Sequence, residues 1–574
     1  MLQIKEIYPK LFKFDDFKSI HPIKKKQNIM IFSLSFIWIK YLTLLSSVLV
    51  LKNCNVTLIW SKFFFQDNQN PKENEYEISE LKKSFSKKTD NFFAIEIDNI
   101  KNNNQKISSD EYDKIFEQSK IDVVQVKKKV RINIEKDEKD FFQTRLEINL
   151  KTYRNLKYYL KFNSIDKVII PNGALYEWGI AKLVCDHLKV NYITLEGFFG
   201  IHDDVICTRE NQNCLIWDDN QINNLWEKNF PYKFDEKKNQ SFIKWFNKVN
   251  SKKDEHSIQI KAKDLSKNIL RKKYDIKDDD IVCLITPSFS YEKHFRLEKY
   301  CFKDHTDWLI NTVNYIKNKK AKFIFKCHPI PYDPENDKFG FRNHKENSEE
   351  ILKNNFKELP ENLIIIKPEE KISINSLIDI SNFGISYFSS SAIELAWQGK
   401  KSIVCSNIHF ANKEFVNTAK NEKEYYNFID FCCRNIKNCE LGIDLINKSK
   451  YYVDVWYNQM PDKIQWNILR GYYNYDKFPI NRVMSLNFLT SNYSKTFDKL
   501  AGIESFTAAE ITENYIRNLK SKEKFKVILK YENLDNIKFL LKYCLKKRDL
   551  KYIYIVVIHL FKFILEKFFK LKHT

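Results

Sequence analysis

Glycine and proline are scarce in this sequence, 10 and 13 residues out of 574. That scarcity excludes collagen-like, Gly/Ser-linker and Pro-rich architectures. There is no C-x-x-C pair, and twelve cysteines in a chain this long make no disulfide scaffold. Several stand in apolar surroundings (Cys54, Cys283, Cys327, Cys405), as buried reduced thiols do. The familiar catalytic signatures are missing too. The sequence has no G-x-x-x-x-G-K-[ST], no G-x-G-x-x-G, no H-E-x-x-H and no G-x-S-x-G. P-loop phosphoryl transfer, dinucleotide binding of the Gly-rich kind, zincin chemistry and the nucleophile elbow are therefore not expected. Uninterrupted apolar spans are lacking as well. The longest apolar stretch, 29–51, is broken by Lys40 and several serines, and reads better as strand, helix and strand than as a membrane span. The first residues, MLQIKEIYPKLFKFDDF, are mixed and charged, unlike a signal peptide.

What the chain does have is positive charge, +22 in formal terms. Such a balance favours anionic partners: nucleic acid, a phosphate-bearing substrate or an acidic membrane face. The lysines are spread along the whole sequence and no nucleic-acid motif accompanies them, so no nucleic-acid partner is expected. At 43% hydrophobic and 30% charged residues, the composition is that of a globular protein, long enough for two or three domains.

Short apolar runs alternate with helical stretches in two blocks. The first block holds candidate strands at 28–34, 54–60, 92–97, 167–170 and 191–195, with a polar stretch at 66–150 that reads as an insertion carrying its own hairpin and helices. The second holds 281–286, 322–327, 363–366, 384–388 and 402–405. Between its first two strands, Leu309, Val313 and Ile316 repeat with helical spacing and make one apolar face. This alternation predicts an α/β protein with two Rossmann-like domains facing across a cleft and a helical C-terminal extension. The expected organisation is an N-terminal extension (1–25), a first domain (26–232), a helical linker (233–277), a second domain (278–470) and a basic extension (471–574). The end of that extension, 552–574, is basic and aromatic; it reads either as a docked terminal helix or as one lying in a membrane interface.

Four motifs fall at predicted strand ends, where open α/β sheets bind ligands. In AKFIFKCHPIPYD (321–333), Pro329 stops the strand and biases His328 toward an extended backbone. The imidazole can then donate to a phosphate oxygen, with Lys326 adding charge; the plain alternative is a turn histidine. In YFSSSAIE (387–394), Ser389 and Ser390 precede a helix and suit an anion, while Ser391 and Glu394 match a capping box. That helix is expected to end at Gly399 as a left-handed cap. The stretch 171–200 concentrates four of the ten glycines, including Gly173 and Gly197. Asn172 opens its first turn, and Glu196 follows the strand NYITL, placed to deprotonate a hydroxyl if it lines a cleft. Last, TPSFSYEKHF (286–295) brings Ser288, Ser290, Lys293 and His294 to the same edge, although ordinary loop polarity also explains it. No metal cluster is evident, so neither a metal nor a bound cofactor is expected.

Taken in order, "NG…LEG", "KCHP", "YFSSSAIELAWQGKKSIV" and "HFANKEFVNTAKNEKEYYNFI" resemble the capsular polysaccharide biosynthesis proteins. These include the Kdo transferases that build the lipid-linked capsule anchor, and they are similar in turn to bacterial sialyltransferases. The resemblance covers about residues 165–430 well and implies a GT-B fold and a cytoplasmic, membrane-peripheral glycosyltransferase. It implies that Glu196 is the general base and His328 the ligand of the donor phosphate. Ser389 and Ser390 would bind the same phosphate, with Ser391 and Glu394 nearby. Leu195 stands where many sialyltransferases carry a second acid. The implied partners are a nucleotide-sugar donor, a CMP-sugar being favoured, and a glycan or lipid-linked acceptor. Two other readings stand beside it: a CDP-polyol phosphotransferase of the teichoic-acid type, and a non-catalytic partner in glycan assembly or export.

Overall fold

The structure, a computed structural model, describes most of residues 26–61, then 91–127 and 133–197 in large part, 205–250 with gaps, 263–287, 301–328, 348–463 and 492–503. Ser288, Ser290, Lys293, His294, Pro329 and nearly all of the 552–574 segment lie outside the described residues.

Among the described residues, thirteen strands form two sheets. The first block supplies β1 (Asn28–Leu34), β2 (Asn55–Ser61), β3 (Phe92–Glu96), β4 (Lys167–Pro171), β5 (Tyr192–Gly197) and β6 (Val205–Glu210). The second supplies β7 (Val282–Thr286), β8 (Lys322–Lys326), β9 (Leu363–Ile366), β10 (Phe383–Ser386), β11 (Ser402–Val404) and β12 (Asn417–Thr418), and β13 (Asp462–Lys463) follows. The first sheet has the order β13-β6-β5-β4-β1-β2-β3 and the second β12-β11-β10-β7-β8-β9. The second is parallel throughout; in the first, β6 and β13 each run antiparallel to their neighbour. Central strands such as NIMIFSL are apolar on both faces because helices cover both faces of a parallel sheet, and Ile29–Phe32 are all buried. The α/β class with two Rossmann-like sheets, expected from the sequence, is thus observed.

Helices α1 (Ser109–Lys127), α2 (Lys139–Phe162) and α3 (Tyr176–Leu188) pack on the first sheet through Ile115, Val123, Leu146, Leu156, Ile180 and Val184. The polar stretch expected to fold as an insertion therefore completes the first core instead. It supplies β3, which pairs parallel to β2, and both α1 and the start of α2. Its hydropathy misleads because polar residues are buried inside it: Asp122, Arg145 and Asn149 are all at 0% exposure.

The stretch expected to link the two blocks is similarly engaged. Helix α5 (Gln240–Asn250), within that stretch, sends Phe242 and Phe246 into the second core, and helix α4 (Asn220–Lys228), at the end of the expected first domain, sends Trp226 there. There Phe246 meets Trp397 with ring centroids 4.6 Å apart. Gly399 has φ +78, so the predicted left-handed helix cap is present. The chain then returns to the first sheet. After α6 (Ile443–Asp454) come a π-helical turn (Val455–Gln459), β13, and α7 (Asn492–Ala501), whose Phe497 and Leu500 enter the first core. Among the described residues, no helix is long and apolar enough to cross a membrane.

One ion pair fastens α7. The Lys52 ammonium lies 2.5 Å from Asp498, and both are buried, at 0% and 5% side-chain exposure. Burial holds the Lys52 pKa below its usual value even though Asp498 pulls it up. Removing one partner of such a pair strands the other charge, at about 3–5 kcal/mol. Asp498→Ala should therefore lower the urea midpoint of the full chain sharply, and Lys52→Met with Asp498→Leu should restore most of it. Equal loss in the single and double variants would contradict this account.

Candidate active site at the carboxyl ends of the two sheets

In the first sheet the chain winds from β1 outward through β2 to β3, then restarts on the other side of β1 with β4 and β5. In the second it winds from β7 through β8 to β9, then restarts on the other side of β7 with β10, β11 and β12. Loops leaving the strands diverge at such a reversal and open a crevice at the carboxyl edge. The described residues of the predicted motifs stand at these two edges.

At the first edge, β4 ends in Pro171 and turns at once. Asn172 and Gly173 both have positive φ, 57° and 76°. The Gly173 N–H donates to the Pro171 carbonyl at 2.5 Å, and the Asn172 N–H donates to the Leu195 carbonyl at 2.8 Å. The second bond places the Asn172 backbone beside the end of β5. Its carboxamide is then oriented by what surrounds it. The Ala174 N–H can only donate, and it donates to Asn172 Oδ1 at 3.0 Å. That leaves Asn172 Nδ2 to donate to Glu196 Oε2, at 2.7 Å. Asn172 and Glu196, 24 residues apart in sequence, thus form one half-buried unit with a donor fixed on one carboxylate oxygen. A hydrogen bond to the charged form favours the carboxylate, the state a general base needs.

At the second edge, the serine loop follows β10. Ser391 is buried, and its Oγ lies 2.5 Å from Thr286 Oγ1 at the end of β7 and donates to Ser389 Oγ at 3.0 Å. The Ser391 N–H also donates to Ser389 Oγ, at 3.3 Å. With the Ser391 hydroxyl donating to Ser389, Thr286 is the donor to Ser391. The hydroxyls then form a chain from the buried strand end to half-exposed Ser389. The expected capping box of Ser391 and Glu394 does not form. Ser390 is the residue before the helix Ser391–Trp397 and already has helical φ and ψ, and it is Ser390 that donates to the Glu394 carboxylate, at 3.2 Å. Ser391 is instead turned inward to Thr286.

His328 stands two residues beyond β8, half-buried, with β7 between its strand and β10. Lys326 is directed elsewhere: its ammonium donates to the Ile372 carbonyl at 3.0 Å. Gly197 ends β5, opposite Ile206 of β6. Among the described residues no three His, Cys, Asp or Glu side chains gather as a metal would require. Sequence reasoning missed Thr286, whose role emerges only once β7 and β10 lie side by side.

No protein-family profile matches the chain, and no curated protein matches it. Similar solved structures include a KpsC beta Kdo 2,4 transferase from Thermosulfurimonas dismutans, 12% identical over 52% of this chain and 82% of that one, with a TM-score of 0.31. A glycosyltransferase from Rickettsia africae is 14% identical over 78% and 96%, at 0.24. A UDP-GlcNAc 2-epimerase from Neisseria meningitidis bound to UDP-GlcNAc is 14% identical over 75% and 99%, at 0.23. At these scores the likenesses carry no functional assignment.

The geometry at Asn172 makes a stability prediction. Asn172→Ala removes the partner of the Ala174 N–H and forces a Cβ-bearing residue without a local hydrogen bond into the left-handed region. Asn172→Gly loses the same bond but relieves the backbone. Alanine should cost about 1 kcal/mol more than glycine in chemical denaturation. Identical stabilities would show that the positive φ is not held in solution.

Proposed function

We propose that the chain is a glycosyltransferase that moves a sugar from a nucleotide-activated donor, a CMP-sugar by preference, to a glycan or lipid-linked acceptor of a surface polysaccharide. The observation that carries this reading is the Asn172–Glu196 pair, a carboxylate held by a dedicated amide where the first sheet reverses. A polar hydroxyl loop at the reversal of the second sheet supports it. In the proposed reaction Glu196 takes the proton of the acceptor hydroxyl as that oxygen bonds to the anomeric carbon. The bond from that carbon to the donor phosphate oxygen breaks, and the nucleotide leaves with its electron pair. His328 and the Ser389 hydroxyl donate to the phosphate and stabilise the charge that grows there. Direct displacement inverts the anomeric configuration. In this reading the donor-binding residues and the base lie on different sheets, so binding and chemistry separate by mutation.

A thermal-shift panel of CMP, CDP, UDP and GDP on the full chain tests the reading. A nucleotide at about 100 times its Kd stabilises the fold by about 2.7 kcal/mol, and CMP should give the largest shift. His328→Ala should diminish that shift. Glu196→Gln should leave it intact while lowering sugar transfer by about 10²-fold or more. Failure of every nucleotide to shift the wild type overturns the transferase reading. An acid-stable phosphodiester in the product would replace it with polyol-phosphate transfer.

A further inference from the structure

A second group of residues lies beneath the Asn172 turn, and the proposed chemistry does not use it. Arg145 of α2 is at 0% exposure, as are Asp122 of α1 and Glu177 of α3. The guanidinium reaches Asp122 Oδ2 at 2.9 Å and Glu177 Oε1 at 3.2 Å. It also donates to Asn149 Oδ1 at 2.9 Å. Asp122 accepts four hydrogen bonds. On Oδ2 they come from Arg145 and from Asn149 Nδ2, each at 2.9 Å. On Oδ1 they come from Gln118 Nε2 at 3.0 Å and from the Tyr176 backbone N–H at 2.7 Å. Gln118 Nε2 also donates to the Ala174 carbonyl, at 3.0 Å. The guanidinium lies 5.8 Å from the centre of the Tyr176 ring.

Two of these bonds end on the backbone just after Asn172, one on the turn at Ala174 and one on Tyr176, the first residue of α3. That turn is under strain. Asn172 and Tyr176 both have positive φ, 57° and 53°, and for a residue with a Cβ this costs roughly 1–2 kcal/mol each. Strained backbone persists only where its surroundings over-determine it. Here the surroundings are Gln118 on the Ala174 carbonyl and Asp122 on the Tyr176 N–H. A buried triad of apolar side chains would stabilise a fold as well as this ion triad does. It would supply neither the acceptor for the Tyr176 N–H nor the donor for the Ala174 carbonyl. Glycine at 179 belongs to the same arrangement: a Cβ there would stand 2.9 Å from Gln118 Nε2 and closer still to its Oε1.

We propose that the buried Arg145–Asp122–Gln118 network is a positioning device. It holds the 172–176 turn in its left-handed form and so fixes the Asn172 amide against the Glu196 carboxylate. Arg145, Asp122 and Gln118 are positioning residues, acting through the Ala174 carbonyl and the Tyr176 N–H. The inference rests on Glu196 being the base.

The test uses the full chain with Gln118→Ala, Gly179→Ala and the double variant, with Glu196→Gln as control, because removing Arg145 would strand two buried carboxylates and unfold the protein. Gln118→Ala should lower kcat by roughly tenfold to a hundredfold with acceptor KM and the CMP thermal shift little changed. It should also move the acidic limb of the kcat–pH profile upward by about one unit, since a loosened Asn172 no longer favours the charged carboxylate. Gly179→Ala should do the same, and adding it to Gln118→Ala should have no further effect, because both act on one bond. Amide hydrogen exchange across residues 171–176 should rise in each variant, a readout independent of turnover. If Glu196→Gln retains wild-type transfer, the reading of the site fails. If Glu196→Gln abolishes transfer while Gln118→Ala keeps the wild-type kcat and acidic limb, the positioning role is overturned. Unchanged exchange across 171–176 overturns it as well.

Discussion

A parallel sheet that winds outward in one direction and then restarts on the other side of its first strand separates two loops that would otherwise pack together. Everything at the candidate site depends on that constraint, and this chain meets it twice. In the first sheet the reversal lies between β1 and β4, and the loop leaving β4 carries Asn172. In the second it lies between β7 and β10, and the loop leaving β10 carries the serines. The chemistry is placed by topology before any side chain is chosen. Side chains then decide what the crevice does, and here they divide: a carboxylate with its amide at one edge, hydroxyls and an imidazole at the other.

The two edges are built by opposite means. The second is a short local arrangement in which Thr286, Ser391 and Ser389 are linked by hydrogen bonds, with His328 beyond the end of β8, on the other side of β7 from β10. The first is supported from a distance, by three helices whose buried charges meet beneath the turn. The difference follows from what each must hold. A hydroxyl rotates to suit its partner, whereas the proposed base needs one carboxylate oxygen at a set place, and a turn with two left-handed non-glycine residues does not keep itself there.

The sequence made the sheets legible and left part of the site hidden, for one physical reason. Strands such as IVCLIT and KFIFKC are buried on both faces, so their composition alone announces them, and the motifs at their ends inherit that clarity. Glu196 and Asn172 were read as neighbours of strand ends, though nothing in the residues between 172 and 196 says that they touch. Arg145, Asp122 and Glu177 are hidden in the sequence because buried ion pairs look like surface charge there, and the stretch that contains two of them reads as an insertion. Strands β6, β12 and β13 escape that reading for related reasons. VICTRE ends in charge, and a two-residue strand has no period at all. The capping-box reading of Ser391 and Glu394 fitted the spacing, but the hydroxyl had a better partner in Thr286, on a strand 105 residues earlier.

The return of the chain to the first sheet bears on the site more directly than its distance in sequence implies. Glu196 is paired across the sheet with Cys207 of β6. The next residue of β6, Thr208, shares Asp462 of β13 with the Lys499 ammonium of α7, and Arg209 donates to Met460 Sδ at 3.5 Å. The strand that flanks the proposed base is thus pinned on its far side by residues that follow the second core. The Lys52–Asp498 pair anchors the far end of the same segment in the first core. The segment is therefore held at both ends, on β6 through β13 and in the first core through Asp498.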